Sequence, residues 1–295
     1  MASLDQQIDR FVQPFSSGLS DFIFYKIPIF GNDFPIIVLW LVTAATFFTF
    51  YYGFINIRAF PAALRLVFGS SEKTKGAQGE ITHFQALSTA ISGTVGIGNI
   101  GGVAVAISIG GPGAAFWLFL AGFLGMSTKF VECTLGVKYR KSNADGSVSG
   151  GPMYYLEHCL SIRGYPGLGK LLGSFYAISL VIGCFGIGNM FQSNQAYVQF
   201  LSITGGESSF FADKGWLFGI ILAGAVGLVI IGGIKSIAKA ASKIVPSMAG
   251  LYLVAALIIL ILSFDSIDDA FKLIIQSAFG LNSFAGGAIG ALIIG

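Results

Sequence analysis

The groups best able to do chemistry in this chain are backbone amides and carbonyls, freed where glycine and asparagine interrupt apolar sequence. Gly-Ile-Gly-Asn occurs twice, within Gly93-Thr94-Val95-Gly96-Ile97-Gly98-Asn99 and within Gly183-Cys184-Phe185-Gly186-Ile187-Gly188-Asn189. Clustered glycine and asparagine weaken a membrane-crossing helix or leave polar groups in hydrocarbon. Such a break is tolerated where the freed groups face a ligand, an ion or a neighbouring helix. Ser92, Thr94 and Asn99 add side-chain oxygens to the first copy. Amides of an unwound turn suit a carboxylate and its carbonyls suit a small cation, so the pattern points to an amino-acid zwitterion together with Na⁺. Close helix packing through the Gly98/Gly102 pair is the competing explanation.

The second copy runs on into Gln192, Ser193, Asn194 and Gln195, which with Asn189 are too polar to face lipid. Gln192 follows Asn189 by three residues, which places both on one face of an α-helix. Interhelical hydrogen bonding, worth about 0.6 kcal/mol per contact, is the competing explanation here. Gly96-Ile97-Gly98-Asn99-Ile100-Gly101 also fits the dinucleotide G-x-G-x-x-G pattern, but no β-run precedes it and no acid follows until Glu132. That reading is rejected.

The elements that must hold these residues follow from composition. Of 295 residues, 54% are hydrophobic and 11% charged, with a mean hydropathy of +0.79. Soluble domains carry about 25% charged residues, so an all-α, polytopic membrane protein is expected. The expected spans are Ile36–Asn56, Ser88–Gly110, Ala114–Val137, Leu171–Leu201, Trp216–Gly233, Pro246–Phe264 and Leu273–Ile294. Basic residues concentrate in alternate loops: Arg58, Arg65, Lys73 and Lys75; Lys138, Arg140, Lys141, Arg163 and Lys170; Lys235, Lys239 and Lys243. By the positive-inside rule these loops are cytoplasmic and the N-terminus lies outside. The expected location is the plasma membrane, the inner membrane of a bacterium.

Met1–Arg10 has no basic start and no apolar region of a signal peptide. Cys133, Cys159 and Cys184 make no disulfide framework or zinc pattern. Charge spread over three loops at pI ≈ 8.7 argues against nucleic acid as a partner. Membrane lipids, a small solute and sodium are the expected partners, with no cofactor. An enzyme would need His, Asp or Glu clustered at one depth, and a channel would need a ring of equivalent ligands; the sequence offers neither. The expected spans near the first break lack a mid-depth Asp or Glu, which favours Na⁺ over H⁺, with proton coupling kept as the alternative. Glycine clusters again at Phe284-Ala285-Gly286-Gly287, in a span of opposite direction, as an inverted repeat would supply. The apolar finish at Ala291–Gly295 is what a sequence cut short would show.

Several ordered stretches between Ser92 and Asn194 resemble the alanine or glycine:cation symporters of the leucine-transporter-fold superfamily. They are Ser92–Ile100, Gly110-Gly111-Pro112-Gly113-Ala114-Ala115-Phe116-Trp117, Lys129–Leu135, Gly150-Gly151-Pro152-Met153-Tyr154-Tyr155 and Gly186–Asn194. The resemblance implies an eleven-span carrier with one extra helix before two inverted five-helix repeats. On that basis residues 1–80 hold the external segment, the extra helix and a linker. Residues 81–264 form the first repeat, and 265–295 begin the second. The resemblance further implies that Gly96 and Gly98 offer amides to the substrate carboxylate beside Thr94. Gln192 contacts the substrate's amino group, and Phe284, Ala285, Gly286 and Gly287 face them. Carbonyls of Ser92 and Val95 supply half of one sodium site, and Thr94 and Asn99 match a second. The implied activity is sodium-coupled inward symport of alanine or glycine by alternating access.

Overall fold

The structure, a computed structural model, describes residues 4–29, 32–69, 81–144 and 146–279. Helix α1 (Leu4–Ile23) carries Phe15, Leu19 and Phe22 at helical spacing along an exposed strip. It is amphipathic, so it has no counterpart among the expected spans. An antiparallel hairpin, β1 (Lys26–Ile29) with β2 (Asn32–Pro35), leads directly into α2 (Ile36–Tyr51). A single turn, α3 (Ile55–Arg58), and α4 (Phe60–Phe68) follow.

Helix α5 (His83–Thr94) opens on a reciprocal cap. Thr82 Oγ1 accepts from the Gln85 amide at 3.2 Å, and Gln85 Oε1 accepts from the Thr82 amide at 3.0 Å. Two otherwise orphaned donors are thereby satisfied. Helices α6 (Gly101–Gly110) and α7 (Gly113–Lys138) meet at Gly111, whose φ of +76° suits glycine. A second hairpin, β3 (Lys141–Ser142) with β4 (Val148–Ser149), precedes α8 (Pro152–Ile162). Next, α9 (Pro166–Gly183) continues through π-helical Cys184–Phe191 into α10 (Gln192–Ile203). The remaining described helices are α11 (Gly215–Ile230), α12 (Gly233–Leu262) and α13 (Ile267–Phe279).

Gly113–Lys138, Pro166–Ile203 and Gly233–Leu262 are each long and apolar enough to cross a membrane, and His83–Gly110 forms a fourth span with a break. Two shorter apolar helices, Ile36–Tyr51 and Gly215–Ile230, stand where two further crossings are expected. The chain is therefore a multi-pass membrane protein. Two boundaries differ most from expectation. Helix α12 starts at Gly233 and carries Pro246 in its interior. Proline costs a helix about 3 kcal/mol, yet the upstream turns pack along α5, burying Ala238, Ala241 and Val245. Lys235, Lys239 and Lys243 thus lie on helix, not in a loop. Leu273, the expected start of the last span, sits inside α13, whose first turn holds Asp268 and Asp269.

Contacts divide the chain into two compact units. The first comprises Met1–Ile57, Gly101–Lys129 and Ser266–Gly295. In it Thr49 and Ser127, both fully buried, place their hydroxyl oxygens 3.1 Å apart between α2 and α7. Asn56 Nδ2 donates to the Phe123 carbonyl at 3.0 Å. The end of α13 docks on the start of α7: the Gly113 amide donates to Ser277 Oγ at 3.0 Å, and Trp117 Nε1 to the Ala278 carbonyl at 3.2 Å. The Phe279 ring packs on Phe116 and Trp117.

The second unit comprises Arg58–Ile100 and Phe130–Asp265. Here α8 lies on α9 over Gly169 and Gly173, where an added Cβ would stand 2.9 Å from the carbonyls of Glu157 and Met153. Tyr197 Oη, on α10, meets the Phe211 carbonyl at 2.7 Å, and its ring covers Gly215 at the start of α11.

A Cβ built on Gly113 would sit 2.6 Å from backbone atoms of Ser277 and Ala278. Neither can swing aside as a side-chain tip can. Gly113→Ala is expected to cost about 1–3 kcal/mol, measured as lost thermal stability in detergent. Gly122→Ala, with open space around its Cβ, should be neutral; equal effects from the two would remove the close-approach argument.

Candidate functional site

Helix α5 ends where the first Gly-Ile-Gly-Asn begins. Val95 (φ −92°, ψ 105°) and Gly96 (φ −138°, ψ −161°) are extended, Ile97–Asn99 form a 3₁₀ turn, and α6 starts after Ile100. The break leaves amides without i−4 carbonyls, so their partners must come from elsewhere. Asn99 supplies one. Its Oδ1 accepts from the Gly96 amide at 3.0 Å, while its own amide donates to the Gly96 carbonyl at 3.1 Å. The asparagine side chain closes the turn it interrupts.

The second partner comes from another helix. Gln192 Oε1 accepts from the Ile97 amide at 3.3 Å, across ninety-five positions of sequence. A Cβ on Gly96 would lie 3.3 Å from both terminal atoms of the Gln192 carboxamide. A side chain at position 96 would crowd the Gln192 carboxamide and press it off the Ile97 amide; φ at Gly96 lies in the ordinary extended range. Gly98, by contrast, has open space around it.

The hydroxyls beside the break point backwards. Ser92 Oγ donates to the Thr89 carbonyl and Thr94 Oγ1 to the Ala90 carbonyl, each at 2.7 Å. With each proton committed to its own helix, only lone pairs remain to face a ligand. Acceptors of this kind suit a cation. Among the described residues no group of three or more His, Cys, Asp or Glu could hold a metal ion.

The second Gly-Ile-Gly-Asn does not break. Cys184–Phe191 keep helical geometry with a π turn, entered at Gly183 (φ −61°, ψ −37°) and left at Gln192 (φ −64°, ψ −44°). π turns of this kind recur at functional sites. Ser193 Oγ donates to the Asn189 carbonyl at 2.8 Å. Asn189 and Gln192 are also separated in their surroundings. Asn189 lines a surface hollow of about 380 Å³ with Leu180, Val181, Cys184 and Phe185, whereas Gln192 turns to the break. A π turn advances the helix by more residues per turn, so α-helical spacing does not carry across it.

The structure therefore gathers Gly96, Asn99 and Gln192, with Ser92, Thr94, Val95 and Gly98 in the same short stretch. Phe284, Ala285, Gly286 and Gly287 lie outside the described residues. The Ile97 amide was not among the expected groups, because which amide is freed depends on where the helix restarts. No side-chain signal marks that point.

The profile of the family described as the sodium:alanine symporter family matches residues 22–295. The chain is 42% identical over 262 residues to the sodium/alanine symporter AgcS of Methanococcus maripaludis, covering 88% of this chain and 55% of that protein. It is 41% identical over 221 residues to the putative sodium/proton-dependent alanine carrier protein YrbD of Bacillus subtilis, covering 75% and 43%. It is 32% identical over 260 residues to the probable sodium/glutamine symporter GlnT of the same organism, covering 88% and 51%. The chain spans about half the length of these curated relatives.

Replacing Asn99 by alanine removes the acceptor for the Gly96 amide. The loss of such a cap costs about 1 kcal/mol, so that amide should exchange its hydrogen roughly fivefold faster. Asn99→Asp, which keeps an acceptor oxygen, should protect it. Unchanged exchange in Asn99→Ala would show that something other than Asn99 closes the turn.

Proposed function

The chain belongs to the sodium:alanine symporter family, and from that premise we propose that it forms part of a secondary active transporter. The transporter couples inward movement of a small neutral amino acid, alanine or glycine, to Na⁺ by alternating access. The observation that carries this reading is the break at Val95–Ile100, whose Ile97 amide is held by Gln192 from a second helix. Such a break combines donors for a carboxylate with acceptors for a cation within one turn.

The substrate carboxylate takes the amides of the Gly96–Gly98 turn, joined by that of Ile97. Gln192, whose carboxamide is already within reach of that turn, contacts the substrate beside Thr94. The carbonyls of Ser92 and Val95, with Thr94 and Asn99, are the sodium candidates. By the family resemblance, Phe284, Ala285, Gly286 and Gly287 are further substrate-contact candidates, at the start of a second, inverted repeat. Residues 1–80 then carry the extra helix and its linker, 81–264 the first repeat of a leucine-transporter-like fold, and 265–295 the onset of the second. Sodium at the break favours the outward-facing, substrate-competent state, because only differential affinity shifts a conformational equilibrium. A small pocket rejects larger side chains by clash. The expected setting is the plasma membrane with the N-terminus outside.

One observation favours a second reading. The description of YrbD couples alanine to sodium or protons, so a proton gradient is the alternative driving force.

Uptake of labelled alanine and glycine by the full-length protein in proteoliposomes separates these readings. Accumulation driven by an inward Na⁺ gradient, and absent with K⁺ at equal pH, is expected. Uptake that ignores sodium but follows an imposed pH gradient would replace sodium by protons; indifference to both would end the symport reading. Gln192→Ala should weaken apparent substrate affinity about 5- to 30-fold, the worth of one or two hydrogen bonds in a dry site. Unchanged affinity would take Gln192 out of the pocket.

A further inference from the structure

Helix α12 carries three lysines, Lys235, Lys239 and Lys243, at i, i+4 and i+8 in its first turns, all exposed. Residues spaced in this way stand one above the other on a single helix face. No acidic residue occurs between Asp213 and Asp265, so nothing on this helix neutralises them. Three like charges in a row repel one another, and the arrangement calls for an anion.

The helix itself says where that anion lies. Its 30 residues span about 45 Å at 1.5 Å per residue, against about 30 Å of hydrocarbon. The apolar end, Ile244–Leu262, takes the hydrocarbon. The remaining 15 Å or so, about ten residues, is the lysine-bearing end, which stands at headgroup depth. The same face then runs through Pro246 and Gly250 to apolar side chains. Leu253, Leu257 and Ile261 lie five turns below Lys235, Lys239 and Lys243 in order, since ~18 residues make five turns. All three are exposed. Half the hydrocarbon thickness below Lys243 is about 15 Å, or ten residues, which reaches Leu253.

We propose that this face of α12 is a binding strip for an anionic phospholipid, its headgroup held by Lys235, Lys239 and Lys243 and its acyl chains lying along the helix toward Leu253. A soluble phosphate would use the lysines and leave the apolar strip bare; an amphiphile fits both ends. The opposite side of the same turns, through Ala238, Ala241 and Val245, is buried where α12 packs along α5. Helix α5 ends at the break. A lipid held on the strip therefore pins one of the helices that buttress the candidate site. This inference holds whatever solute the protein carries.

The test uses the full-length protein in vesicles of phosphatidylcholine mixed with phosphatidylglycerol, with retained lipid counted by native mass spectrometry after extraction. Wild type should retain phosphatidylglycerol in preference to phosphatidylcholine. A lysine near an anionic surface contributes roughly fivefold to binding, so K235Q/K239Q/K243Q should lower retention by about a hundredfold. K235R/K239R/K243R, which keeps the charge, should retain it. Should the triple glutamine variant fail to fold, K239Q alone should give roughly a fivefold loss with an unchanged melting temperature. The proposal is overturned by wild-type retention in the glutamine variants, by equal retention of the two lipids, or by loss of retention in the arginine variant. It is overturned equally if soluble glycerophosphate displaces the lipid as well as vesicle lipid does, since the occupant would then be a free phosphate.

Discussion

An amide N–H within the depth of a bilayer has no water to fall back on, and every feature of the candidate site follows from meeting that demand without a regular helix. Leaving one such group unpaired costs several kcal/mol. At the break the Gly96 and Ile97 amides are instead held by carboxamide oxygens, one local and one from α10. A carboxamide oxygen carries the same sign of partial charge as a carboxylate oxygen but no net charge. It can therefore occupy an anion-binding donor without the desolvation penalty of an ion. The donors stay oriented, and their geometry is maintained by bonds that a stronger acceptor could replace.

Helix contacts in the rest of the chain obey the same economy of polar groups. Lipid chains are as apolar as leucine, so helices in a membrane associate through close packing and hydrogen bonds. Gly169 and Gly173 let α8 come within van der Waals distance of the α9 backbone. Thr49 and Ser127, fully buried, turn their hydroxyls toward each other. At Gly113 both devices coincide: the missing side chain makes room for α13, and the exposed amide bonds to Ser277 Oγ. The Gly110-Gly111-Pro112-Gly113 turn is thus more than a change of direction, which its composition alone suggests.

Much of this was legible in the residues, and the failures have physical causes. Glycine beside asparagine in apolar sequence marks the break at 96–99, and Gln192 stands out as a polar side chain with no reason to face lipid. The identical tetrapeptide at 186–189 shows the limit of that signal. In the first copy the asparagine side chain folds back to cap Gly96; in the second the backbone stays helical through a π turn. The same four residues thus adopt two conformations; in the first, besides the local Asn99 acceptor, Gln192 of another helix accepts from the Ile97 amide. Pro246 misled in the opposite direction. It reads as a helix start, yet the packing of α12 along α5 holds the helix through it. The Ile97 amide carried no side-chain mark at all.

The two copies end by dividing the chemistry between them. A broken helix can offer backbone donors but can orient them only if something accepts their hydrogen bonds. An unbroken helix has no backbone groups to spare and must contribute through side chains. The first copy, at Val95–Ile100, is the donor half; the second, by keeping its helix intact through Cys184–Phe191, places Gln192 at the start of α10 as the acceptor half. Were both intact, no donor would be exposed. In this structure the broken copy donates and the helical one leads into the residue that accepts.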